Sequence, residues 1–188
     1  MPFLIILSSP SGCGKTTLCN MLLKNNDNIK QSISATTRSP RPGEIDEKHY
    51  HFLTIKEFEE KIKNNDFLEY AKVFDNYYGT LKKSVQEILD NGKNAILVID
   101  YQGAQLVSKQ WDSEKLLKIF ILPPSLEELR KRLINRKQDS KEVIEKRIKK
   151  AKFEMTFASE YDASIVNDDL NKAYNELVAA ITNFKKSL

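Results

Sequence analysis

The stretch Ser8-Ser9-Pro10-Ser11-Gly12-Cys13-Gly14-Lys15-Thr16-Thr17 concentrates the groups that would hold an anion. An apolar run, FLIIL (residues 3–7), precedes it, and a helical pattern over 15–25 follows. In a strand–glycine turn–helix context, successive backbone N–H groups and the helix N-terminus point at one phosphate. Lys15 can then reach the terminal phosphates of a nucleotide, and the Thr16 hydroxyl can ligate Mg²⁺. Ser11, Gly12, Cys13, Gly14 and Thr17 complete the loop. The plain alternative is a glycine turn ahead of an ordinary helix. The full phosphate-loop pattern asks for glycine where Ser9 stands. We expect Ser9 at negative φ, where a Cβ is tolerated. Cys13 reads as a small filler. A reactive thiol is the alternative, because helix N-termini lower thiol pKa.

Three further places carry charge in useful patterns. AILVID (95–100) ends in Asp100, an acid at the carboxyl end of an apolar run, suited either to placing a metal through water or to capping the next helix. TTRSPRPGE (36–44) holds Arg38 and Arg41 in a proline-stiffened loop, where two guanidinium groups can grip one phosphate; a solvated turn is the alternative. Arg132 and Arg136 lie four apart on one helical face, and Arg147 falls on the next helix. Arg130 is off that face and is expected to be solvated. The chain has 24 lysines scattered throughout and six arginines confined to these two regions. Such usage favours a need for the planar guanidinium fork there.

These groups need a scaffold. Five short apolar runs, 3–7, 29–34, 95–100, 117–122 and 163–166, read as buried strands of a parallel sheet. Helices are expected at 15–25, 82–91, 103–110, 125–136, 141–158 and 169–186, the fifth capped by Asp139 or Ser140. The stripe Ile144, Ile148, Ala151 and Met155 on that helix reads as core. The alternation predicts a three-layer α/β domain with a parallel five-stranded sheet. Residues 35–80 break the rhythm as a mixed β/α insertion with a strand-like HYHFL and a short helix near 54–64. Inserted subdomains beyond the carboxyl ends of strands suit a second substrate. The polar stretch NRKQDSKE (135–142) suits a mobile lid.

The 188 residues suffice for one domain with its own core. A net charge of +4 is too mild to demand nucleic acid. The apolar opening run is far too short to span a bilayer and lacks a basic leader, so neither membrane insertion nor secretion is expected. Two cysteines cannot build a disulfide framework, which favours a reducing cytoplasmic setting. His49 and His51 read as a polar strand face in preference to a metal site.

Taken together these motifs resemble the guanylate kinases, from residue 4 to about 180. The resemblance implies a single P-loop kinase domain, with core 1–34, 81–134 and 148–188, a GMP-binding insertion at about 35–80 and a lid at about 135–147. It implies Mg²⁺-dependent transfer of the ATP γ-phosphate to GMP, and to dGMP as well. SxPSGxGKTTL is similar to the family's ATP loop, and Asn167 in IVNDDL lies near where the family holds adenine. SATTRSPRPGE resembles the family's GMP stretch and assigns Ser34, Arg38 and Arg41; KHYHF, FLEYA and NYYGT add Tyr50, Glu69, Tyr78 and Thr80. IDYQG supplies Asp100 and Gln102. Lys15, Arg38, Arg132, Arg136 and Arg147 take catalytic roles, while Thr16 and Asp100, the latter through water, take the metal. Guanine presents adjacent N–H donors and an acceptor, so Glu69 can accept while Ser34 and Thr80 donate. Val98 departs from the resemblance, because the family usually shows an acid there. Two rival readings stay open: a degenerate guanylate-kinase-like binding module, and a kinase for another small phosphorylated acceptor. A homo-oligomer stays open as well.

Overall fold

In the computed structural model, which describes residues 1–73, 75–136 and 139–188, the apolar opening run becomes β1 (Leu4–Ser8), buried throughout. The phosphate loop follows and runs into α1 (Lys15–Asn25), then β2 (Ile29–Gln31). The insertion contributes β3 (Ala35–Thr36), β4 (His51–Phe52), α2 (Ile55–Lys63), β5 (Phe67–Val73) and β6 (Asn76–Leu81). The chain continues through α3 (Lys82–Asp90), β7 (Asn94–Val98), α4 (Tyr101–Ser108) and β8 (Leu116–Leu122). It ends with α5 (Leu126–Asn135), α6 (Lys141–Glu154), β9 (Ala163–Val166) and α7 (Leu170–Ser187).

The main sheet is parallel, in the order β2-β7-β1-β8-β9. Alternate residues of β1, and Phe3 just before it, feed opposite layers, as the two-residue period of an extended chain requires. Phe3, Ile5 and Leu7 pack with Leu18, Leu22, Leu129 and Leu177, while Leu4 and Ile6 pack with Val85, Ala104 and Val107. Each such buried aliphatic side chain contributes about 1.5–3 kcal/mol relative to exposure. The register pairs Leu7 with Val98. It therefore sets the loop after β1 beside Ile99 and Asp100, at the carboxyl edge where α/β sheets bind ligands.

The insertion forms its own four-stranded sheet, β4-β3-β6-β5, mixed in direction. Phe58 of α2 stacks between Phe67 and Tyr77, with ring centroids 4.3 Å and 5.1 Å away. Thr54 and Glu57 close α2 with a reciprocal capping box.

The structure corrects several expected boundaries. HYHFL forms a strand only at His51–Phe52, with Tyr50 in an isolated bridge to Asp46. The second strand stops at Gln31, although the Ser32 N–H still donates to the Ile96 carbonyl at 3.1 Å. α4 begins two residues early because Asp100 caps it. Ser140, rather than Asp139, caps α6, which ends at Glu154 and gives way to a 3₁₀ turn over Met155–Glu160. Residues 137 and 138 of the expected lid and Phe74 of the β5–β6 hairpin lie outside the described residues.

Candidate active site

The phosphate loop turns on two left-handed glycines, Gly12 at φ 99° and Gly14 at φ 89°. A Cβ at Gly14 would overlap the Asn167 amide, and one at Gly12 would approach Leu129 Cδ1 to 2.9 Å. Among the described residues only Glu47 and Asn65 are non-glycine positions with positive φ. Ser9 therefore carries its Cβ without strain, and its hydroxyl donates to the Pro10 carbonyl at 2.9 Å.

The loop lines a cavity of ≈ 300 Å³, walled by residues that include Ser11, Gly12, Gly14, Lys15, Thr16, Thr17, Asp100 and Arg136. Lys15 Nζ donates to the Ile99 carbonyl at 3.3 Å. Burial pushes the Lys15 pKa down, and the carboxylates of Asp100 and Glu154 oppose that shift. Asp100 caps α4 and also lines the loop cavity. Its Oδ1 accepts from the Gly103 N–H at 3.0 Å, and its exposed side chain faces the loop cavity.

Cys13 is fully buried, and burial pushes its thiol up to about 12. This burial favours the small-filler reading over a reactive thiol, because desolvation outweighs the neighbouring Arg132 and Lys15 charges. Asn167 comes from the end of β9 and donates its amide to the Cys13 carbonyl at 2.8 Å. Its own backbone carbonyl accepts from Arg132 Nη1 at 2.9 Å. Arg147 reaches back from α6 to donate to Ser11 Oγ at 3.2 Å while paired with Asp139 at 3.2 Å. Arg130 corrects the sequence expectation: it is not simply solvated but pairs with Glu145, tying α5 to α6.

The insertion gathers a second group. Thr80, 1% exposed, donates its hydroxyl to Glu69 Oε1 at 2.7 Å. That hydroxyl was expected to address a base directly, and here it holds the carboxylate. Burial raises the Glu69 pKa, Thr80 opposes the shift, and the Asp100 charge adds to it. Ser34 and Tyr50 share a cavity of ≈ 550 Å³ with Thr16 and Val98, so the insertion opens directly onto the start of α1. Arg38 lies 5.5 Å from the Tyr50 ring centroid, and Tyr50 packs edge-on to Tyr78 at 6.2 Å. The Arg41 side chain is exposed, and its backbone N–H donates to Glu44 at 2.7 Å. Gln102 stays outside both groups, donating to Tyr101 Oη on the surface at 3.0 Å. His49 corrects the expected strand face: it lies in a turn, where its Nδ1 accepts from the Ile45 N–H at 2.9 Å, and of the two histidines His51 belongs to β4.

Two acids escaped the sequence reading. Glu44 pairs with Arg38 at 2.8 Å and is pulled down to about 2, chiefly by that bond. It closes the TTRSPRPGE stretch, and its spacing from both arginines was the available signal. Glu154 is buried beside the loop cavity. It lies three residues past Ala151 on the stripe's own face, in the place expected for Met155, which is only half-buried; its charge, not its spacing, kept it out of the expected core.

A glycine loop followed by Lys-Thr at the mouth of a central parallel strand, an acid ending the next strand and arginines arriving from two later helices define a P-loop kinase. The family model described as guanylate kinase matches residues 2–184. The chain is 49% identical to a guanylate kinase of Rickettsia felis over 180 residues, covering 94% of this chain and 93% of the relative. It is also 49% identical to a guanylate kinase of Paramagnetospirillum magneticum, covering 90% and 79%. The crystal structure of guanylate kinase from Anaplasma phagocytophilum superposes with a TM-score of 0.74 at 35% identity, covering 97% of this chain and 85% of that one. The chain belongs to the guanylate kinase family.

Proposed function

We propose that ATP binds at the phosphate loop and GMP in the insertion, and that this enzyme passes the ATP γ-phosphate directly to the GMP phosphate, releasing ADP and GDP. The observation that carries the division of labour is the position of Asp100. It lines the loop cavity with Lys15, and it caps α4 at Gly103, which lies directly against the Glu69 carboxylate. One strand end therefore joins the two groups of side chains.

The loop N–H groups and Lys15 hold the ATP phosphates, with Ser11, Thr16 and Thr17 beside them and Asn167 bracing the loop from β9. Arg132, Arg136 and Arg147, together with Arg38, spread the charge that builds on the transferring group. Arg38, Arg41, Tyr50 and Tyr78 take the GMP phosphate. Ionised Glu69, steadied by Thr80, accepts the two adjacent N–H groups of guanine, and Ser34 addresses its acceptor edge. Adenine lacks that donor pair and would leave Glu69 unpaired, a mismatch that polar sites punish by ~10⁴-fold or more. Each assigned group reads base or phosphate, so dGMP is a substrate too.

Thr16 and Asp100 offer hard oxygen donors at the loop cavity, the chemistry that suits Mg²⁺. Among the described residues no three acids, thiols or imidazoles gather as a cage, in keeping with an ion that arrives with the nucleotide. Bound there with ATP, Mg²⁺ would withdraw charge from the β- and γ-phosphates. The core spans 1–34, 81–134 and 148–188, and closure of the insertion (about 35–80) and lid (about 135–147) excludes water that would hydrolyse ATP. Two free buried cysteines suit a reducing cytoplasm. Among the described residues no helix is long and apolar enough to cross a membrane.

The test is ADP release from purified protein with GMP, dGMP, AMP and UMP. GMP should be clearly preferred and dGMP accepted. No turnover with any acceptor would return the chain to a binding module, and equal use of AMP would sink the guanine assignment.

A further inference from the structure

The stripe of α6 places apolar residues at Ile144, Ile148 and Ala151, yet the next buried position belongs to Glu154, 6% exposed. A carboxyl there is costly twice over. It is desolvated, and it stands at a helix C-terminus, where the macrodipole disfavours negative charge. An apolar residue would serve packing better. Glu154 lines the loop cavity together with Lys15, Asp100, Arg136 and Lys150. Its Oε1 is 3.5 Å from Lys150 Nζ, one helical turn back. The Lys150 side chain is 64% exposed. Its long stem would otherwise leave the ammonium free to point anywhere in solvent.

We infer that Glu154 is a positioning residue that aims the Lys150 ammonium into the loop cavity, making Lys150 a further contact for the donor phosphates. The inference rests on the reading of the loop as the ATP site. Burial raises the Glu154 pKa, and Lys150 is the first charge to oppose that rise, with Lys15 also opposing and Asp100 adding to it. When phosphates enter, the Lys150 ammonium gains a more highly charged partner while Glu154 still anchors it from below. Glu154 also supports the charged form of buried Lys15, second only to Asp100.

The test is calorimetric titration with MgATP in the absence of GMP, plus steady-state kinetics in both substrates. The variants are Glu154→Gln, which keeps shape and removes charge, Lys150→Met, and the pair together, with thermal melts as a folding control. Each single variant should weaken ATP binding ~5-fold, with the KM for GMP unchanged. Adding Lys150→Met to Glu154→Gln should cost less than ~2-fold more, because coupled residues are not additive. A space-filling Glu154 would shift stability without an ATP-selective effect, and a merely repulsive one would tighten ATP binding on neutralisation. Either result overturns the inference, as does independent multiplication of the two effects. Wild-type protein that fails to bind MgATP would instead overturn the ATP-site reading itself.

Discussion

The Asn167 side-chain amide donates to the Cys13 carbonyl at 2.8 Å across 154 residues of sequence. The edge strand β9 thus braces the phosphate loop, while the Asn167 backbone carbonyl anchors Arg132. Asn167→Ala removes only the first of these bonds. It leaves a buried carbonyl unpaired, at a cost of about 1–3 kcal/mol. The expected outcome is a lower melting temperature and a KM for ATP raised ~10-fold, with the KM for GMP nearly unchanged. A change in GMP binding alone would contradict the brace.

Asp100 combines a helix cap with a charge that faces the loop. Asparagine keeps the oxygen that accepts from Gly103 and removes the charge. Asp100→Asn should therefore melt within ~1 kcal/mol of wild type yet lose ~10²-fold in kcat, a loss typical of removing one electrostatic contact to a transferring group. Near-wild-type turnover would reduce Asp100 to a cap.

Glu69 must be ionised to accept the two guanine N–H groups, and burial raises its pKa. As pH falls the carboxylate is protonated and that acceptor is lost. The acid limb of kcat/KM for GMP should consequently lie above the ordinary carboxylate range. In Glu69→Gln that limb should vanish, with GMP selectivity over AMP falling ~10²-fold or more. An unchanged acid limb in the variant would assign the titration elsewhere.

Both thiols are buried, with Cys13 pushed from 9.0 to about 12 and Cys19 from 9.0 to about 11. A raised thiol pKa favours the protonated folded state. This contribution is complete below pH 9 and is lost as pH rises through the folded values. Denaturant unfolding from pH 8 to 11 should show stability declining above pH 9, with a shallower decline in Cys13→Ala. A disulfide-exchange reagent at pH 8 should label the native protein only at the rate of its opening.

Much of the scaffold was legible because it is written in local pattern. Continuous apolar runs marked four of the five strands of the parallel sheet, the exception being the mostly polar edge strand β2, and α1 spans the residues its periodicity indicated. The loop glycines were readable because only glycine accepts a left-handed turn at such close quarters. The short insertion strands were harder. β3 and β4 are two residues each, held by pairing with distant partners rather than by their own propensity. The breadth of the site was readable from residue type and order, whereas the bonds within it were not. Nothing in spacing announced that Thr80 would hold Glu69 or that Arg130 would pair with Glu145.

The sequence by itself determined the loop, the strands that carry it and the supply of arginines, because each depends on backbone geometry or charge encoded within a dozen residues. Tertiary structure alone decided that the Cys13 thiol is buried, that Asn167 locks the loop from the sheet edge, and that Glu154 is buried at the phosphate cavity. Desolvation and long-range hydrogen bonding depend on what packs alongside, and those neighbours meet only when the chain folds.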